Sequence, residues 1–168
     1  MLLLRIYENA PTGSKEAVIN YVTSHYALTL DRKVYYCRHF AVRFSYSKNG
    51  AFSNTVLSLS ALQKYDKIPF FVILVRGNGG NLIYLANSTF ISKISHSSKE
   101  LTMCNIKGSF NGSDILKTYA GMANTPQFFN ELFSIHEGLD WEDNLERLVD
   151  ASSAIRPKSQ KFCPTRAQ

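Results

Sequence analysis

Apolar and polar positions change period several times along the chain, and each change marks an element. Ala17, Val18, Tyr21, Val22 and Tyr26 recur at helical spacing within 14–28, with Ser14 placed as a cap and Pro11 and Gly13 breaking the chain before it. The period then drops to two. Over 33–47, Val34, Tyr36, Arg38, Phe40, Val42, Phe44 and Tyr46 alternate with Tyr35, Cys37, His39, Ala41, Arg43 and Ser45. This predicts one long strand, or two with a break near Arg38–His39. Asn49–Gly50 is the pair favoured in tight hairpin turns. A short helix is expected over 58–66, capped by Ser58 or Ser60. PFFVILVR (69–76), GNGG (77–80) and NLIYLAN (81–87) predict the clearest hairpin, and 88–95 predicts one or two helical turns capped by Ser88.

From residue 118 the pattern is helical. Thr125, Pro126 and Gly138 supply a cap, a first helical position and a stop. Asp140 caps the next segment, where Glu142 and Asp143 fall in the first turn and Leu145, Leu148 and Val149 share a face. The predicted fold is α+β: a mostly antiparallel sheet of four or five strands, with an N-terminal helix and C-terminal helices. The periodic part is one domain over 1–155. Residues 156–168, with two prolines and no period, read as a linker or tail towards a possible further domain.

Charge sharpens this picture. Residues 1–113 carry 13 Lys/Arg against 5 Asp/Glu, whereas 114–150 carry 2 against 8. A basic body next to an acidic helical section attracts a polyanion to one part of the surface, although solvated lysines also serve solubility alone. The longest apolar run, Ile68–Val75, is too short for a bilayer, and the apolar start stops at Arg5, so a cytoplasmic location is expected. Cys37, Cys104 and Cys163 have neither disulfide nor zinc-ligand spacing.

Catalytic signatures are sparse. The short half of a Mg²⁺-nuclease motif appears only as Asp31–Arg32–Lys33, with Glu8 or Glu16 as distant carboxylates. His25, His39, His96 and His136 stand at unrelated spacings, and GNGG lacks the lysine of a phosphate loop. The chain by itself reads as a binder with no catalytic residues and no metal or cofactor of its own.

Three stretches carry side chains suited to phosphates and base edges. The first is Arg38, His39 and Arg43 on the aromatic strand, where His39 is as much at home in a core. The second is Lys48 and Asn49, which are also ordinary hairpin residues. The third holds His96, Ser97, Ser98 and Lys99, then Lys107, Ser109, Asn111 and Ser113. There the competing reading is a helix end and a capping loop, while the glycines of GSFNGSD permit close backbone approach. The aromatics Tyr35, Tyr36, Phe40, Phe44 and Tyr46 lack the glycine pattern of RNA-binding sheets and read as sheet core, so double-stranded DNA is the preferred ligand.

YLANSTFISKISHSSKEL, continuing to NIKGSFNGSDI, and NTPQFFNELFSIHEGLDWEDNLERLVDASSAI resemble segments of the N-terminal modules of bacterial restriction endonucleases. The closest group is the modification-dependent type II enzymes of the BisI kind, and the similarity spans about residues 30–155. The resemblance implies a module that senses 5-methylcytosine in duplex DNA, with Mg²⁺-dependent cleavage in an associated nuclease domain. A 5-methyl group lies in the major groove like the thymine methyl, so apolar contacts beside an Arg or His would read it. Arg38–His39 and His96–Ser98 are the positions to test. A palindromic target would favour a homodimer. Two rival expectations stand beside this one: a complete metal-dependent nuclease at Asp31 and Lys33, and a protein-interaction module using the acidic helices at 125–152.

Overall fold

The computed structural model describes residues 9–48, 56–94, 100–101 and 106–151. Helix α1 (Lys15–His25) begins where the Ser14 side chain accepts a hydrogen bond from the Ala17 amide. Strand β1 (Thr29–Asp31) precedes the aromatic stretch, which makes two strands, β2 (Val34–Tyr36) and β3 (Ala41–Ser47), with the expected break around Arg38–His39. Strand β4 (Val56–Ser58) leads into α2 (Leu59–Tyr65), capped by Ser58, and β5 (Phe70–Arg76) and β6 (Leu82–Leu85) form the hairpin over GNGG. A 3₁₀ turn at Ser88–Phe90, short strands β7 (Glu100–Leu101) and β8 (Ile106–Lys107), and β9 (Ser109–Asn111) follow. The pair β10 (Thr118–Tyr119) and β11 (Met122–Ala123) precedes α3 (Phe129–Glu137) and α4 (Trp141–Ala151).

The fold is α+β. Its main sheet has five strands in the order β1–β2–β3–β5–β6. Three of the four pairings are antiparallel, but β3 and β5 run parallel from Ala41↔Phe70 to Ser47↔Arg76. A parallel pair needs a crossover, and β4 with α2 provides it. Helices cover both faces. Val18 and Val22 of α1 and Phe129 and Leu132 of α3 pack on the side of Val42, Phe44, Phe71 and Ile73. Leu59 and Leu62 of α2 and Leu148 and Val149 of α4 pack on the side of Val34, Ala41, Phe70 and Val72. Double coverage explains why β5 is a continuous apolar run with no alternation.

Two buried asparagines close the ladder where strands end. Asn124 Oδ1 accepts from the Leu85 amide at 2.9 Å, and its Nδ2 donates to Leu85 O at 2.9 Å and to Leu116 O at 2.8 Å. One side-chain amide thus satisfies the backbone of β6 as a neighbouring strand would. Asn87 likewise accepts from the Phe70 amide at 3.0 Å and donates to Ile68 O at 2.9 Å.

Several local expectations are corrected. Ser88 does not cap its turn: Asn87 holds the cap position and Ser88 Oγ donates instead to Asp66 Oδ2 at 2.6 Å. Thr125 and Pro126 open a 3₁₀ turn (Pro126–Phe128) rather than α3 itself, and the Thr125 side chain makes no capping bond. Tyr46 is 49% exposed, unlike the other aromatics assigned to the sheet core. Asn49–Gly50 lies outside the described residues. Among the described residues, no helix is long and apolar enough to cross a membrane.

Candidate nucleic-acid interface

The β1–β2 hairpin turns in two residues, Arg32 and Lys33, between the paired Asp31 and Val34. Arg32 adopts φ 59°, a left-handed conformation that costs an L-residue energy, so a sequence selected for stability alone would place Gly or Asn there. Beside this tip lies a cleft of about 570 Å³. Its polar wall carries Arg32, Lys33, Arg43 and Lys64, with Asp31 as the one carboxylate among the lining residues. Ser58 and Ser60 come from the start of α2, and Gly108 and Ser109 from the entry to β9. Val34, Val56, Leu57, Ala61 and Phe70 supply the apolar part.

The charges are arranged against their own repulsion. Arg43 is half-buried in β3, where one guanidinium nitrogen donates to Phe44 O, and burial holds its pKa below the ordinary value. Lys15 at the start of α1 shares a second, smaller cleft with Arg32, Lys33 and Arg43. Burial, then the nearby charges of Arg43 and Lys33, lower the Lys15 pKa. Among the described residues, only Lys64 of these cations forms an ion pair, with Asp31 Oδ2 at 2.7 Å. Tyr65 donates its hydroxyl to the same oxygen at 2.6 Å, and these two bonds hold the Asp31 carboxyl below its usual pKa. Cations gathered without matching carboxylates form a site that an anion would stabilise.

The residues singled out by sequence divide. Arg43 and Ser109 line this cleft. Arg38 and His39 lie exposed in the turn before β3, where Arg38 Nε donates to His39 Nε2 at 3.4 Å, and His39 is no core residue. Lys48 is exposed beyond the far end of β3, and a seven-residue strand separates the two groups by about 20 Å. Asn111 and Asp114 form a reciprocal capping box around a 3₁₀ turn (Gly112–Asp114), which gives Asn111 a local structural task, and Ser113 is exposed on that turn. Lys107 lies in β8. Asn49, His96, Ser97, Ser98 and Lys99 lie outside the described residues. The first and third stretches thus each place one residue, Arg43 and Ser109, in the cleft, whereas Lys48 of the second lies beyond the far end of β3.

Sequence reasoning missed Lys15, Arg32 and Lys64 as members of one site. Lys64 is 33 positions from Asp31, so no local motif could join them. Asp31 and Lys33, the proposed nuclease pair, do share the cleft, but their neighbours are cations. Among the described residues, no three His, Cys, Asp or Glu side chains come together as a metal site, and Glu8 lies outside them.

A second polar cluster lies beyond the other end of α2. Thr89 Oγ1 meets His136 Nδ1 at 2.7 Å, His136 Nε2 donates to Asp66 O at 2.7 Å, and Asn144 Nδ2 donates to Thr89 Oγ1 at 3.2 Å. His136 Nε2 also lies 3.6 Å from Asp66 Oδ1, so hydroxyl, imidazole and carboxylate stand in the order of nucleophilic machinery, but Thr89 is 1% exposed and its hydroxyl already bonds two groups. No substrate could reach it. The network ties the Ser88–Phe90 turn to α3 and α4, and Arg147 adds bonds to Ser88 O at 2.8 Å and Ile91 O at 3.0 Å.

The sequence matches no protein-family model and no curated protein, and no solved structure matches the chain.

Proposed function

We propose that this chain is a DNA-recognition module that binds double-stranded DNA through the cationic cleft and the hairpin tip beside it. The observation that carries the reading is the cluster of Lys15, Arg32, Lys33 and Arg43, none of which forms an ion pair among the described residues and one of which is a half-buried guanidinium. Arg32 and Lys33 at the tip meet phosphates, while Ser58, Ser60 and Ser109 add hydroxyls of the kind that fix register on a backbone. Arg38 and His39, on the turn before β3, reach base edges and carry the 5-methylcytosine reading within a restriction system of the BisI kind. A homodimer on a palindromic site, with Mg²⁺ serving an associated nuclease domain, completes this proposal.

The acidic helices favour one alternative, a module that docks a basic protein. Glu131, Glu137, Asp140, Glu142 and Asp143 belong to α3, α4 and the link between them.

The test is fluorescence anisotropy with matched GC-rich duplexes, methylated and unmethylated at cytosine C5, across a salt series. Binding that weakens steeply with salt supports the DNA reading, and tighter binding to the methylated duplex supports the modification reading. A flat salt response, or no binding at low salt, overturns the first. Equal affinity for both duplexes overturns the second.

A further inference from the structure

We propose that the cleft at the β1–β2 tip holds one cytosine nucleotide, its base against Val56, Leu57 and Ala61 and its phosphate against Lys33 and Arg43. This deepens the DNA reading and rests on it. A surface that only tracks phosphates needs basic side chains, hydroxyls and backbone amides, and an apolar wall adds nothing to it. This cleft has such a wall, and Val56 within it is 55% exposed, so its isopropyl group meets solvent where a flat ring would shield it. At about 570 Å³ the volume lies within the range of about 300–1,000 Å³ typical of small-ligand sites.

Asp31 supplies the second argument. A carboxylate in the wall of a phosphate site weakens that site by repulsion, whereas it strengthens a site that must also accept a hydrogen bond. Lys64 and Tyr65 both bond Oδ2, which leaves Oδ1 without a partner among the described residues. The exocyclic amine of cytosine is the donor that an Asp carboxylate recognises, and thymine presents a carbonyl in its place. The same cleft therefore offers cations to the phosphate, an apolar wall to the ring, and an acceptor to the base edge. The nucleotide comes either free or from a DNA strand, and extrusion from a duplex costs a few kcal/mol that contacts in the cleft would offset.

The experiment is an amide NMR titration of the full chain with dCMP, dTMP and 2-deoxyribose 5-phosphate, run beside duplex anisotropy on the same sample. The dCMP should bind about tenfold tighter than the sugar phosphate, the scale expected for one base on an apolar wall. Its largest shifts should fall at Val34, Leu57 and Ala61. Asp31→Asn should reduce the preference for dCMP over dTMP while the remaining spectrum reports an intact fold. Val56→Trp, a substitution at an exposed position, should fill the cleft and abolish dCMP binding. Equal binding of dCMP and the sugar phosphate, or an unchanged base preference in Asp31→Asn, overturns the proposal. Duplex binding without base-dependent nucleotide binding removes this inference and leaves the DNA reading. Binding of dCMP without any duplex binding removes the DNA reading and assigns the cleft to free nucleotides.

Discussion

Tyr65 and Asp31, 34 positions apart, are joined by a 2.6 Å hydrogen bond from the phenol to the carboxylate. The bond fastens the β1–β2 hairpin to α2 and so fixes one wall of the cationic cleft. It also makes stability depend on pH from both sides. Burial and the Asp31 carboxylate raise the Tyr65 pKa above its ordinary value, so the unfolded state loses this proton first. The contribution is complete below about pH 10 and is lost as the pH rises towards the folded-state value. The Asp31 pKa is lowered, so its share is present above about pH 4 and lost as the pH falls through the folded-state value. Tyr65→Phe should therefore show a smaller drop in urea midpoint between pH 9 and pH 11 than the native chain, because it has no phenol to ionise. An equal drop would contradict the assignment.

Lys33 and Lys64 separate binding from stability. Lys33 forms no ion pair among the described residues, so Lys33→Gln should leave the melting temperature nearly unchanged. If Lys33 meets a phosphate, the variant should bind all duplexes more weakly, with a salt slope shallower by about one unit. Lys64→Gln breaks a solvent-screened surface ion pair and should change stability little. Anisotropy across a salt series and thermal melts read both variants.

Arg32 should be the position where stability and binding trade against each other. Its φ of 59° suits glycine, so Arg32→Gly should raise stability by about 0.5–1 kcal/mol through relief of strain. The same change removes a cation from the hairpin tip and should weaken duplex binding. Chemical denaturation and anisotropy on one preparation test the pair, and a variant that gains nothing in stability would remove the strain argument.

Asn124 is buried although Thr125 beside it is exposed, and its side chain holds the backbone of β6. Asn124→Ala would leave the Leu85 amide and carbonyl buried without partners, and each such group costs about 1–3 kcal/mol. A loss of about 3 kcal/mol in urea unfolding is expected. Asn124→Asp keeps an acceptor for the Leu85 amide but faces Leu85 O and Leu116 O with no donor, so it should also destabilise.

Much of the fold was legible because local rules decided it. Ser14 and Ser58 cap the helices whose starts they mark, and the apolar run of β5 could only be a buried element. The parallel pairing of β3 with β5 was not legible, because alternation gives faces and never the direction of a partner strand. The candidate site was less legible still. Arg43 and Ser109 were picked out for composition and do line the cleft, but Lys15 and Lys64 sit on helix positions that read as solvated. They join the site only because α1 and the crossover through α2 bring them to the hairpin tip. Asn111, chosen for its donors, proved to be occupied by its own capping box.

The amide of Asn124 against Leu85 also has a meaning for how copies of this chain can associate. Growth of a sheet by strand addition needs an open edge on each side, so that every new copy presents another. At the end of β6 the amide and carbonyl of Leu85 are already satisfied, so a strand arriving there finds neither group to pair with. A single side chain thus blunts that end of the edge strand against pairing with another copy.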